Sequence, residues 1–373
     1  MSLASTSALV VAILIPIGYL LWVSQRDFFE TRKVYLVHIC FVWGMIAYAI
    51  VSIIQSNFIA YELLTRDQVV RFAAPILEEL FKGAILLYLI RRADFTYFVD
   101  GAIYGFTVGI GFAIIENIEY VIANPSSALV LAVLRAHSTN LIHATASGSI
   151  GIALGLARFE RADSIRRQLT LLASVLAAVA LHMAFNNLVN SGVPILIPIL
   201  IGCSGGVVIY VIMRRGLRIM KAWVDEELQN EESITLHEIN VVNQLETVDK
   251  ALAGFKNCFG ENSAALAKEI LLAQAQMGIY KRSAEKQQDE ELRQSAGRQA
   301  AELRASMDVN RKKLGAYRMA YLRSIFPEDV SPLWTRLDAV MQALTTPKSE
   351  AGKGLWITLD QRVKESMPKG EGQ

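Results

Sequence analysis

Four apolar stretches of the sequence contain side chains that can take part in acid–base chemistry or bind a metal ion. They read APILEELFKG, FAIIENIEY, LIHATASG and ALHMAFNNLV. Their polar residues are Glu78, Glu79, Lys82, Glu116, Asn117, His143, His182 and Asn186. A charged residue at the centre of a membrane helix costs ~3 kcal/mol on an insertion scale. Such residues are therefore expected to pair inside a helix bundle or to face a wet cavity.

Two histidines and several carboxylates that meet in one cavity support hydrolysis by either of two mechanisms. In the first, His143, His182 and one glutamate hold a zinc ion with an open position for water, and a second glutamate is the general base. In the second, a glutamate activates water without a metal, while a histidine and Asn186 stabilise the oxyanion. Proton-coupled transporters use the same residue types at mid-depth, and a structural role is also open.

The sequence divides sharply into an apolar part and a polar part. Of the 373 residues, 53% are hydrophobic and 19% are charged, which excludes an ordinary soluble protein of this length. A membrane helix needs ~20 apolar residues, and seven segments qualify. They are residues 5–24, 34–55, 72–90, 98–123, 129–157, 168–190 and 193–213. The sequence thus predicts an all-α fold, with a polytopic membrane bundle of about seven spans over residues 1–213.

Positive charges predict the orientation of this bundle in the cell membrane. Arginine and lysine residues concentrate after the first, third, fifth and seventh segments, and such residues favour cytoplasmic loops. The N-terminus is therefore expected outside and the C-terminal part in the cytoplasm. At 1.5 Å per residue, Glu78, Glu79, Glu116, His143 and His182 then lie about 10–12 Å from the outer face. Their shared depth indicates one site in the outer half of the bilayer.

The polar C-terminal part is predicted to be mostly helical. Residues 222–345 repeat apolar side chains every three or four positions, which is typical of amphipathic helices and predicts a helical cytoplasmic domain. Its charged segment, residues 281–314, predicts a solvated helix or a module for docking or self-association. The polar tail, residues 346–373, is expected to be disordered. The sequence contains no nucleic-acid-binding motif, and its long apolar segments predict the membrane as a partner.

Taken together, the four stretches resemble the PrsW family of intramembrane proteases. The marks of that family are Glu-Glu-x-x-Lys, Phe-x-x-x-Glu-Asn, a histidine in the fifth helix and His-x-x-x-Asn. All four occur here in order over about residues 70–190. The pattern is similar to that of the CAAX-processing and Abi proteases, which usually carry a histidine where this chain has Glu116.

The resemblance implies a polytopic, metal-dependent protease. It also implies a substrate type, namely single-pass membrane proteins such as anti-sigma factors, cut first near the outer face to begin regulated proteolysis. The alternative interpretation is a proton-coupled transporter that uses the same carboxylates.

The resemblance also implies roles for the individual residues. Glu79 or its neighbour Glu78 is the expected general base, and Zn²⁺ is the expected ion. The candidate metal ligands are Glu116, His143 and His182. Asn186 is expected to orient His182 or to donate to the oxyanion. Lys82 is expected to be a counter-ion, and Asn117 is expected to form a hydrogen bond between helices.

Overall fold

A computed structural model describes residues 3–161, 163–229 and 248–324, together with Val242 and Leu245. All regular secondary structure in these residues is helical, as the sequence predicts. The predicted tail, residues 346–373, and the end of the predicted domain 222–345 lie outside the described residues.

The helices follow one another with short connections. In chain order they are α1 (Leu3–Ser24), α2 (Val34–Ala60), α3 (Arg66–Gln68), a π-helical turn (Val69–Ala73), α4 (Ala74–Leu89), α5 (Phe98–Ala123), α6 (Ala128–His137), α7 (Thr139–Ala157), α8 (Ile165–Asn190), α9 (Leu196–Gln229), α10 (Val248–Phe259), α11 (Glu261–Lys286), α12 (Glu290–Leu314) and α13 (Ala316–Ser324).

Six helical spans in the described residues are long and apolar enough to cross a membrane. They are Ser5–Ser24, Val34–Ala60, Phe98–Ala123, Ala128–Ala157, Ile165–Asn190 and Leu196–Gln229. The fourth combines α6 and α7, which meet at Ser138. These spans account for six of the seven predicted segments, and the protein is a multi-pass membrane protein.

The seventh predicted segment, residues 72–90, belongs to a helical stretch that runs from Arg66 to Leu89 through the π-helical turn. Its α4 portion has only 16 residues. The helices on either side show that it also crosses the bundle, because α2 and α5 run in the same direction. The backbone N–H of Lys33 donates to the Tyr104 hydroxyl at 3.0 Å, and further along both helices the rings of Tyr48 and Phe112 lie 5.2 Å apart. Only a returning segment between α2 and α5 permits this arrangement.

The centre of the bundle is α5, whose side chains are almost all buried. Small residues bring α7 very close to it. A Cβ atom at Gly109 would lie 2.6 Å from the backbone N and Cα of Ala144, so only glycine fits there. This close approach holds His143, the neighbour of Ala144, beside the polar residues of α5.

The described chain forms two compact units. Met1–Glu227 and Ala275–Leu303 form the first, while Leu228–Gln274 and Arg304–Gln373 form the second. In the first unit, the Gln276 side chain donates to the carbonyl oxygen of Phe29 at 2.9 Å. In the second, the rings of Phe259 and Tyr321 pack 5.0 Å apart. Residues of the predicted 222–345 domain thus contribute to both units.

Candidate active site

Four helices of the first unit bring most of the predicted site residues together. Glu78, Glu79 and Lys82 come from α4, Glu116 and Asn117 from α5, His143 from α7, and His182 and Asn186 from α8. Pro75, the second residue of α4, lies inside the continuous helical stretch, and the Asn186 side chain replaces its missing N–H as the donor to the Val70 carbonyl oxygen. The first turn of α4 therefore forms despite that proline, and its second turn carries both glutamates into the bundle.

His143 is fully buried and uses both ring nitrogens. Its Nε2 lies 2.8 Å from Glu116 Oε2, and its Nδ1 lies 2.9 Å from Lys82 Nζ. An ammonium group only donates hydrogen bonds, so Nδ1 accepts from Lys82 and Nε2–H donates to Glu116. The same Nδ1 lies 3.8 Å from Glu78 Oε2.

His182 repeats this arrangement from the opposite side. Its Nδ1 lies 2.9 Å from Glu79 Oε1, so this nitrogen donates to the carboxylate. Its Nε2 then carries the lone pair and lies 3.7 Å from Glu78 Oε2. The rings of His143 and His182 are nearly perpendicular, with centroids 4.7 Å apart. His182 Nε2 therefore has a lone pair beside Glu78, whereas His143 Nδ1 uses its lone pair to accept from Lys82 and would have to release Lys82 to bind an ion.

The donor set of Glu78, His143 and His182 fits a metal ion. One ligand atom from each of the three lies within 4.8 Å of the others. Neighbouring ligands of a tetrahedral ion at ~2.1 Å are ~3.4 Å apart, close to the observed 3.7 and 3.8 Å from Glu78 Oε2 to the two histidines. That oxygen is buried and accepts no hydrogen bond among the described residues. A bound cation would satisfy it.

Both histidines also form, through their second ring nitrogen, the hydrogen bond that is usual for metal-binding histidines. Metal-binding histidines commonly donate their second N–H to a carboxylate, which fixes the tautomer and the ring orientation. Glu116 does this for His143 and Glu79 does it for His182. The carboxylates at this level thus fall into two groups, with Glu78 between the histidines and the other two behind them.

Lys82 balances part of this negative charge. Its side chain is fully buried, and Nζ lies 2.6 Å from Glu79 Oε1. The ammonium group also lies 4.6 Å from the centre of the Phe112 ring, a cation–π contact. The spacing of three residues on α4 places the two charges on one face. Glu79 therefore pairs with Lys82 while Glu78 lines a cavity.

Arg135 is a site residue that sequence reasoning missed, because it was expected at the membrane interface. Its Nη2 lies 3.0 Å from Glu116 Oε2, and its Nε donates to Asn117 Oδ1 at 2.7 Å. The amide of Asn117 donates in turn to Asn140 Oδ1 at 2.5 Å, which links α5 to α7. The signal that could have found Arg135 is its position at the end of an apolar run and two turns before His143.

A cavity of about 310 Å³ opens beside these residues. Its lining includes Glu78, Glu116, Arg135 and Asn186. The Asn186 side chain donates to the carbonyl oxygen of Val70 at 3.0 Å, inside the π-helical turn. π-Helical turns leave carbonyl groups free for such bonds and often occur at functional sites. The cavity therefore brings two carboxylates and two donors to one wall that a substrate can reach.

The fold and the site together define a class of protein. It is a polytopic membrane protein in which carboxylates and histidines, buried beside an internal cavity, form an acid–base site. Residues 32–214 match the family described as PrsW family intramembrane metalloprotease. This part of the chain therefore belongs to the PrsW family, as its motifs indicated, and the protein is an intramembrane protease. No curated protein and no solved structure matches the chain.

Proposed function

We propose that the protein cuts single-pass membrane proteins of the anti-sigma type, near the outer face, as the first step of regulated proteolysis. The shared outer-half depth of the site residues supports this position for the cut. The charge distribution of the loops supports an N-terminus outside and residues 222–345 in the cytoplasm. The charged segment 281–314 is proposed to dock a partner or a second copy.

His143, His182 and Glu78 are proposed to hold the metal ion, with zinc as the ion. The observation that carries this proposal is Glu78 Oε2, which is buried, accepts no hydrogen bond among the described residues and lies 3.8 and 3.7 Å from a ring nitrogen of His143 and of His182. A bound zinc ion lowers the pKa of water and polarises a carbonyl group. This set differs from the sequence-based one in its third ligand, where Glu78 replaces Glu116.

Glu116 is proposed as the general base. It lines the cavity, and its hydrogen bond to His143 and its ion pair with Arg135 both use Oε2. Its Oε1 can then take a proton from water and pass it to the leaving amine. Arg135 holds the Glu116 carboxylate in this orientation. This role is the one that the sequence analysis expected of Glu78 or Glu79.

Three further residues are proposed to support the reaction. Glu79 orients His182, and Lys82 neutralises Glu79 so that the buried charges do not repel one another. Asn186 donates one amide N–H to Val70. Its second N–H can donate to the substrate oxygen that becomes negative during attack. Hydrogen bonds with Arg135 and Asn140 hold the Asn117 side chain in position.

The test compares membranes from cells that produce the wild-type protein or Glu116→Gln. New N-termini of single-pass membrane proteins are measured by mass spectrometry. We expect cleavage products near the outer face with the wild type and their loss with Glu116→Gln, because an amide cannot accept the proton. Identical products in both samples would contradict the proposed base, and cuts confined to cytoplasmic segments would contradict the proposed position.

A further inference from the structure

A larger cavity, of about 530 Å³, lies on the side of the bundle between α1 and α9. Phe106 of α5 and Leu141 of α7 are buried and line it from the bundle side. The lining is mainly apolar, with the hydroxyl groups of Tyr19 and Tyr210 among its few polar atoms. Glu78, Glu116 and Asn186 line the smaller cavity, and none of them lines this groove.

Two glycines keep the groove open. A Cβ atom at Gly18 of α1 would meet no atom within 4 Å, and one at Gly206 of α9 would meet only Leu141 Cδ2, at 3.8 Å. Glycine in the middle of a helix costs about 1 kcal/mol relative to alanine. Neither position needs glycine for close helix packing. The effect of these two glycines is to leave the space inside the groove open.

One end of the groove is basic and aromatic. The rings of Trp22 and Tyr210 pack 5.0 Å apart across it. The guanidinium group of Arg26 lies 4.9 Å from the Trp22 ring, and that of Arg214 lies 6.0 Å from the Tyr210 ring. Both arginine side chains are exposed. Stacking on aromatic rings orders these side chains and leaves their N–H groups available to an anion.

The size of the groove favours a lipid chain over a helix. A helix about 10 Å across occupies roughly 420 Å³ per turn. The groove follows α1 from Ile15 to Val23, which is about two turns, but holds about 530 Å³. An extended acyl chain is much thinner than a helix and fits along this length.

We propose that the groove binds one anionic phospholipid, with an acyl chain between α1 and α9 and the phosphate group between Arg26 and Arg214. Basic pockets between membrane helices are suited to anionic head groups, and arginine binds phosphate through paired N–H groups. Trp22 is near the end of the first predicted segment, residues 5–24, and Tyr210 is near the end of the last, residues 193–213, where interfacial aromatic residues are expected. The lipid would hold α1 and α9 together beside the catalytic bundle.

The test is native mass spectrometry of the delipidated full-length protein in detergent. Phosphatidylglycerol or phosphatidylcholine with identical acyl chains is titrated into each sample. We expect one tightly retained phosphatidylglycerol and weaker binding of phosphatidylcholine. Arg26→Gln and Arg214→Gln should each weaken phosphatidylglycerol binding about fivefold. Gly18→Leu should weaken binding of both lipids about tenfold, because the new side chain displaces at least two methylene groups.

Arg166→Gln is the matched control, since this exposed arginine lies on α8 away from the groove and its loss should leave lipid binding unchanged. Equal binding of the two lipids, or binding that neither Gly18→Leu nor the arginine variants change, would overturn the proposal. A sensitivity to Gly18→Leu alone would assign the groove to an uncharged apolar occupant. A two-chain mass that Gly18→Leu abolishes would assign it to a second copy. Either result would refute the phospholipid.

Discussion

Gly109→Ala tests whether the spacing of α5 and α7 sets the geometry of the site. The new methyl group would lie 2.6 Å from Ala144 Cα, whereas ordinary contacts begin at 3.4 Å. The helices must then separate by at least about 0.8 Å, because the carbonyl oxygen of His143 is closer still to the new methyl group. His143 precedes Ala144, so its 2.8 Å bond to Glu116 would stretch to about 3.6 Å, beyond hydrogen-bonding range. Loss of such a support typically costs about 10–100-fold in metal affinity.

The assay is competition between the full-length protein and a fluorescent zinc chelator, together with denaturant unfolding. We expect Gly109→Ala to bind zinc about 10–100-fold more weakly and to lose about 1–3 kcal/mol of stability through overpacking. Gly83→Ala is the matched control on α4, because its methyl group would meet only side-chain atoms of Ile150, at 3.8 and 3.9 Å. It should keep its zinc affinity and gain up to about 1 kcal/mol in helix propensity.

Two results would refute this reasoning. If Gly109→Ala binds zinc as tightly as the wild type, the contact between His143 and Glu116 does not support metal binding. If Gly83→Ala loses as much zinc affinity as Gly109→Ala, then any added methyl group near the site weakens zinc binding, and the spacing of α5 and α7 is not the cause.

Three further predictions concern the charged residues of the site. Glu78→Gln should weaken zinc binding by more than about 100-fold, whereas Glu116→Gln, a change at an outer carboxylate, should weaken it by no more than about 10–100-fold and lose cleavage. The opposite pattern in a zinc-binding and cleavage assay would restore Glu116 as the ligand. Lys82→Met should destabilise the protein by about 3–5 kcal/mol in denaturant unfolding, because it leaves the buried Glu79 carboxylate without its ion pair. Adding Glu79→Gln to this variant should recover part of the lost stability. Additive losses in the double variant would refute the pairing of Lys82 with Glu79. A chelator should abolish cleavage and added zinc should restore it, and cleavage that survives chelation would favour the metal-free mechanism.

Much of the fold could be predicted because hydrophobic length and charge bias act locally along the chain. The apolar segments, their order and the all-helical class follow from the cost of exposing backbone groups to lipid. The common depth of Glu116, His143 and His182 could also be predicted, since a helix rises by a constant distance per residue. Their direct contacts agree with that calculation.

The pairing within the site could not be predicted, because it depends on how helices rotate against one another. Glu78 and Glu116 share type and depth, and only packing decides which of them faces both histidines. Arg135 was missed for a related reason. Residues 129–157 read as one straight helix, which would separate Arg135 from His143 by roughly 80° about its axis. The chain instead changes direction at Ser138, and Arg135 reaches Glu116.

The π-helical turn was equally invisible in the sequence. One extra residue in a turn shifts the face of every later side chain, yet Val69–Ala73 has no residue type that marks it. Its stabilising partners, Asn186 and Asn187, lie more than 100 positions away. Only the folded chain reveals that these amides donate to the freed carbonyl oxygens.

Metal content, measured by elemental mass spectrometry on the purified full-length protein, tests the central claim most directly. Wild type, His143→Ala and His182→Ala are compared after identical purification. The proposed site predicts about one zinc ion per chain in the wild type and its loss in both variants. Catalytically active protein without bound metal, or zinc retained in both variants, would contradict the assignment of His143, His182 and Glu78 as ligands.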